Sequence, residues 1–192
     1  MTDFFTRCCK KISWLFLLVM MSCIFDAAAA GIQVTHAELV PAESGYLLSA
    51  DFDIDFTSEI ESALNKGVSL SFLVEFQLVS PRKYWFDDEI TTVSRHIELS
   101  YHALSRQYLL KVGGHQQSFA TLAEAKDELS RLRNWKVLDK SQIEDGEHYQ
   151  AILRFRLDPS RLPKALQVEA LGSEKWTMVS ERYRWTPTVF QH

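Results

Sequence analysis

The chain has 192 residues, 46% of them hydrophobic, 24% charged and 12% aromatic, with only 7 Gly and 5 Pro. That composition excludes disordered, collagen-like and low-complexity classes and fits an ordinary globular domain. A formal net charge of −4 argues against nucleic acid as a partner.

Residues 1–30 read as a targeting segment. Arg7, Lys10 and Lys11 form a basic n-region, Ile12 to Phe25 an apolar h-region, and Ala27 to Ala30 the small side chains of a peptidase site. The expectation is a cleavable secretory signal peptide, cut after Ala30 or one residue earlier, that delivers residues 31–192 to the periplasm as a single β-rich domain. The alternative is an uncleaved leader anchored in the inner membrane. Against it, Ile12 to Phe25 is shorter than the roughly 20 residues of a spanning helix. Cys23 lies in a poor context for lipid attachment. Cys8, Cys9 and Cys23 all belong to the leader, so the mature domain has no disulfide, thiolate metal site or thiol nucleophile. Losing the leader's three basic and two acidic residues moves the formal charge to −5.

Past the leader, period two dominates. Val68, Leu70, Phe72, Val74, Phe76 and Leu78 alternate with Ser69, Ser71, Leu73, Glu75, Gln77 and Val79, which predicts a long central strand. Tyr149 to Leu157 repeats the pattern. Weaker alternation predicts strands at Ile32–Val40, Leu47–Phe56, Ile97–Tyr101, Tyr108–Val112, Leu166–Ala170 and Trp176–Trp185, about eight in all. Two stretches switch to helical period: Ser58-Glu59-Ile60-Glu61 has capping-box form before Ile60, Ala63 and Leu64, with Gly67 as a left-handed stop. Thr121-Leu122-Ala123-Glu124 repeats the box before a stripe of Leu122, Ala125, Leu129 and Leu132, ending near Asn134. The expected fold is mainly β: an antiparallel β-sandwich or strongly curved sheet with two short amphipathic helices.

Few residues carry a chemical signature. Asp51, Asp53 and Asp55 alternate on one strand face, but Phe56 and Ser62 stand where a calcium loop needs Gly and Glu, so a solvated strand face is expected. No two of His36, His96, His102, His115, His148 and His192 have metal-ligand spacing. No nucleophile elbow or phosphate-cradling Gly loop occurs, and Gly113-Gly114 reads as a turn. No catalytic residue, metal or cofactor is therefore predicted.

The densest unusual stretch is Ser80 to Glu89, where Tyr84, Trp85 and Phe86 lie between Arg82-Lys83 and Asp87-Asp88-Glu89. Exposed, Tyr84 and Trp85 would anchor a partner or stack on a sugar, with Arg82 as a forked donor. The plainer expectation is that Trp85 and Phe86 close one end of the core, while for Arg82 and Tyr84 the core and surface readings stand level. Arg154, Arg156, Arg182, Tyr183, Arg184 and Trp185 would form a second arginine-aromatic face if the late strands are neighbours, with pairing to acidic residues the commoner outcome. The candidate binding residues are thus Arg82, Tyr84, Trp85, Arg184 and Trp185.

Taken in order, Pro81 to Asp87, Leu99 to Tyr108, Arg154 to Asp158 with Leu162-Pro163-Lys164, and Tyr183-Arg184-Trp185 resemble a family of exported bacterial proteins, domain of unknown function 4390. The resemblance runs over nearly the whole mature chain. One departure is Ala165, where the family often has Pro. The resemblance implies an envelope protein of Gram-negative bacteria, often encoded beside a nitrogen-regulation-type sensor kinase and response regulator, with no assigned activity or cofactor. The expected function is a non-enzymatic envelope interaction module, with the exported segment of a sensor kinase as partner by analogy. The alternative is a small-ligand or glycan binder, and an enzyme ranks third.

Overall fold

The computed structural model describes residues 31–144 and 146–190; the predicted leader lies outside them. The strand predicted from residues 68–79 is β3 (Leu70–Ser80), and its alternation sorts the molecule into an inside and an outside. Phe72, Val74, Phe76 and Leu78 are fully buried and lie opposite Leu157, Phe155, Leu153 and Ala151 of β8 (Gln150–Leu157), all buried too. Paired residues share a face, so these eight side chains form one apolar surface.

Around β3 runs a six-stranded antiparallel sheet, β6-β5-β4-β3-β8-β9, with β4 (Asp88–His102), β5 (Gln107–Val112), β6 (His115–Phe119) and β9 (Tyr183–Trp185). A three-stranded antiparallel sheet, β1-β2-β7, covers it; β1 is Gly31–Ala42, β2 Gly45–Asp55 and β7 Arg131–Leu138. Leu48, Ala50, Phe52 and Ile54 of β2 enter the same core cluster as β3 and β8. The result is mainly β and sandwich-like, as the alternation predicts, and the two sheets do not close into a barrel.

The two predicted helices lie at one end of the sandwich, where the Lys126 ammonium stands 6.0 Å from the Phe56 ring centroid and the Tyr108 hydroxyl bonds Asn65 at 2.7 Å. α1 (Ser58–Asn65) buries Ile60, Ala63 and Leu64, and α2 (Leu122–Leu129) buries Ala125 and Leu129. The N-cap of α1 is Thr57 rather than Ser58: the Thr57 hydroxyl accepts the Ile60 N–H at 3.2 Å and donates to the Lys175 carbonyl at 2.9 Å. At the other end Gly67 has φ +87°, and its N–H and that of Val68 donate to the Leu64 and Ala63 carbonyls, a Schellman stop. The α2 cap is Thr121, as expected, but Glu124 reaches back to the Ala120 N–H.

Four expectations are corrected. The second helix stops at Leu129, not near Asn134, because Leu132 and Trp135 pair with Ala50 and Leu48 as part of β7. Arg133 and Asn134 oppose the single residue Ser49, with Asn134 at φ +49°; this bulge gives Leu132 and Trp135 the three-residue spacing of a helix. Residues 166–170 are not a strand but belong to α3 (Lys164–Gly172), which begins at Pro163, whose carbonyl accepts from Leu166 and Gln167. Of Trp176–Trp185 only the last three residues are strand; upstream, Ser180 bonds the Phe155 backbone through its own N–H and its hydroxyl. Finally, β4 starts nine residues before Ile97, and β6 adds a strand with no alternation in its burial.

Candidate functional site

The ladder between β3 and β4 closes at Ser80 and Asp88, so Pro81 to Asp87 form a loop beyond the end of the sheet. An Arg82–Asp88 ion pair ties its base, and the Arg82 N–H donates to Asp87 Oδ1 at 3.4 Å. Below it, Gln77 bonds Glu89 at 2.9 Å and the Ser80 hydroxyl donates to Glu147 at 3.2 Å. At the tip Tyr84, Trp85 and Phe86 are 84%, 81% and 95% exposed. The expectation that Trp85 and Phe86 close the core is therefore overturned. The core at this end is already filled by Leu78, Ala151 and Tyr149, and the loop rises past them. At the tip the Lys83 ammonium lies 5.6 Å from the Tyr84 centroid.

Arg184 and Trp185 belong to the same end of the sheet, since β9 pairs with the start of β8. They do not make one surface. Trp185 is opposite Ala151 on the inner face, its ring 6.2 Å from Phe76 and 5.6 Å from Tyr183, whereas Arg184 is opposite Ile152 on the outer face and reaches Gln150 at 3.4 Å. The predicted arginine-aromatic face is thereby split: Arg154, Arg156 and Arg184 lie on the outside without Tyr183 and Trp185. Arg156 pairs with Glu75 at 3.0 Å, the cross-strand outcome. Asp51 pairs with Arg133, and Asp53 and Asp55 are solvated. Among the described residues no group of three or more potential metal ligands converges.

Two features escaped the sequence reading. Arg95, opposite Val74, points inward and stacks on Trp135 of the facing sheet, 4.9 Å from the ring centroid, and burial lowers its pKa. On the outer face, a cleft of about 700 Å³ is walled by Ser71, His96, Glu98, Lys111, His115 and Arg161 among others. Nearby, burial pushes the Asp158 carboxyl up, but bonds from the Ser160 hydroxyl and N–H, then the charges of Arg156 and His96, bring it below its ordinary value. Period two predicted a mixed second face on β3, Ser71 included; that three strands and a distant turn wall one cleft was not readable.

A family profile described as domain of unknown function, DUF4390, matches residues 29–186. The chain belongs to the DUF4390 family. Both the tip loop and the cleft fall inside the matched span. No curated protein and no solved structure matches the chain. Among the described residues, no helix of this DUF4390 protein is long and apolar enough to cross a membrane.

Proposed function

We propose that this DUF4390 protein is a non-enzymatic binding module of the bacterial envelope, exported by residues 1–30, that seats its aromatic tip in an apolar groove of a protein partner. The observation that carries this reading is the exposure of Tyr84, Trp85 and Phe86 together at one hairpin end. Tyr and Trp are the residues most enriched at binding hot spots, and three adjacent bare rings are unusual on a surface with nothing to meet. The flanks favour a protein over an anionic lipid surface. Arg82 and Lys83 are outnumbered by Asp87, Asp88 and Glu89, which leaves no net attraction for acidic headgroups. The exported segment of a sensor kinase is the partner class that the family resemblance suggests. A glycan-stacking role finds less support, because Trp185 turns inward.

The test is in-cell periplasmic cross-linking of a tagged copy with mass spectrometry of what co-purifies, beside a Trp85→Ala/Phe86→Ala variant. A reproducible partner that disappears in the variant, with the melting curve unchanged, supports the reading. A partner profile identical in both chains, or none in either, overturns it.

A further inference from the structure

The outer face of the six-stranded sheet has a second place built to bind. Across three neighbouring strands, Ser71 of β3 is opposite Glu98 of β4, and Glu98 is opposite Lys111 of β5, so the three side chains stand in one row. His96 lies one step along β4 on the same face, His115 starts β6, and Arg161 overhangs from the turn after β8. The Gly113-Gly114 turn adds no side chain to the rim, and a methyl at either glycine would meet nothing within 4 Å.

The charge in this cleft runs against that of the chain. Lys111 and Arg161 face a single carboxylate lining the wall, Glu98, on a protein whose formal charge is −4. Among the described residues no ion pair of Lys111 falls within 4 Å. Arg161 approaches Asp158 with Nε at 3.8 Å, beyond hydrogen-bond distance, so this ion pair does not commit its donor fork. Ser71 supplies an independent sign. It is 6% exposed, and its hydroxyl is buried with no hydrogen-bond partner, although buried hydroxyls are almost always paired.

We infer that the cleft binds a small hydroxylated oxyanion, a phosphate or carboxylate that also carries hydroxyl groups. Arg161 and Lys111 hold the anionic group, the Ser71 O–H donates to it, and Glu98 accepts from a ligand hydroxyl. The cleft has room beyond a bare anion, and Glu98 would repel one that offered no donor. This site is separate from the aromatic tip: Ser71 and Ser80 are nine residues apart on β3, a span of about 30 Å.

The experiment is calorimetric titration of the mature chain at pH 8 with four probes: methyl phosphate, which as the dianion has no O–H donor, acetate, glycerol 3-phosphate and glycerate. Saturable binding of glycerol 3-phosphate or glycerate, at least tenfold tighter than the matching bare anion, is expected; which of the two binds tells phosphate from carboxylate. Arg161→Gln and Lys111→Gln should each weaken it tenfold or more, and Ser71→Ala should weaken it severalfold without lowering Tm. Glu98→Gln should erase the advantage over the bare anion. No saturable binding of any probe, or binding indifferent to Arg161→Gln and Lys111→Gln, overturns the proposal. Trp85→Ala/Phe86→Ala should leave this binding intact, which keeps its outcome separate from that of the tip.

Discussion

Phe52 and Phe155 meet across the gap between the two sheets, with ring centroids 4.6 Å apart, and Phe155 touches Phe72 as well at 5.7 Å. Phe56 stacks on Phe72 at 5.9 Å, so one aromatic chain joins the three-stranded sheet, the start of α1 and the central strand. No cysteine lies beyond residue 23, so no disulfide joins the residues of this packing.

Phe155 is fully buried at the middle of that chain. Phe155→Ala should cost about 3–5 kcal/mol, the range for deleting a buried aromatic ring, as read by urea unfolding. A loss below about 1 kcal/mol would mean that the sheets do not pack through this residue.

Trp85 and Trp176 make a matched pair, one 81% and the other 3% exposed. Trp85→Ala should leave stability within about 0.5 kcal/mol of the parent, while Trp176→Ala should lower it by about 3–5 kcal/mol. Comparable losses from the two would return the tip to the core.

The turn between β1 and β2 depends on Gly45. Its φ is +151°, and an added Cβ would stand 2.1 Å from the Leu138 carbonyl oxygen, a backbone atom of β7. Gly45→Ala should destabilise by about 1–3 kcal/mol through this clash, whereas Gly114→Ala should change stability by less than about 0.5 kcal/mol. Thermal melts of the two variants side by side check this, and equal Tm values would refute it.

The lowered pKa of Asp158 has a definite sign. A carboxyl whose folded pKa lies below its unfolded one stabilises the fold above the unfolded value, and that contribution fades as pH falls through the folded value. Asp158→Asn should therefore be less stable than the parent at pH 7, and the gap should narrow below about pH 4. Denaturant titrations at both pH values measure it; a gap independent of pH would show that ionisation of Asp158 contributes nothing.

How far the sequence could be read depended on how local each signal was. The apolar alternation of β3 and β8 is a property of consecutive residues, and so is the pairing of Thr121 with Glu124, and both survive into the structure. At β7 the local signal misled. Leu129, Leu132 and Trp135 recur every three residues, as on a helix, and only pairing with β2 turns the last two into a bulged strand. Residues 166–170 erred the other way: Leu166, Val168 and Ala170 alternate like a strand, yet Pro163 starts a helix there and leaves Val168 76% exposed.

Arg82, Tyr84 and Trp85 were legible as an unusual cluster because they are adjacent in the chain. Whether Trp85 lay inside or outside was not, since that depends on where the β3–β4 ladder ends and on what else fills the core beneath it. Splitting Arg184 from Trp185 likewise needed the register of β9 on β8. The sequence by itself determined the β-rich class, the inward face of the central strand, the absence of cysteine beyond residue 23 and family membership. Only the tertiary structure decided the order of the strands, the exposure of the tip and the outer cleft. Period and composition are carried by neighbours along the chain, whereas burial and convergence come from residues far apart in sequence, whose meeting depends on the whole fold.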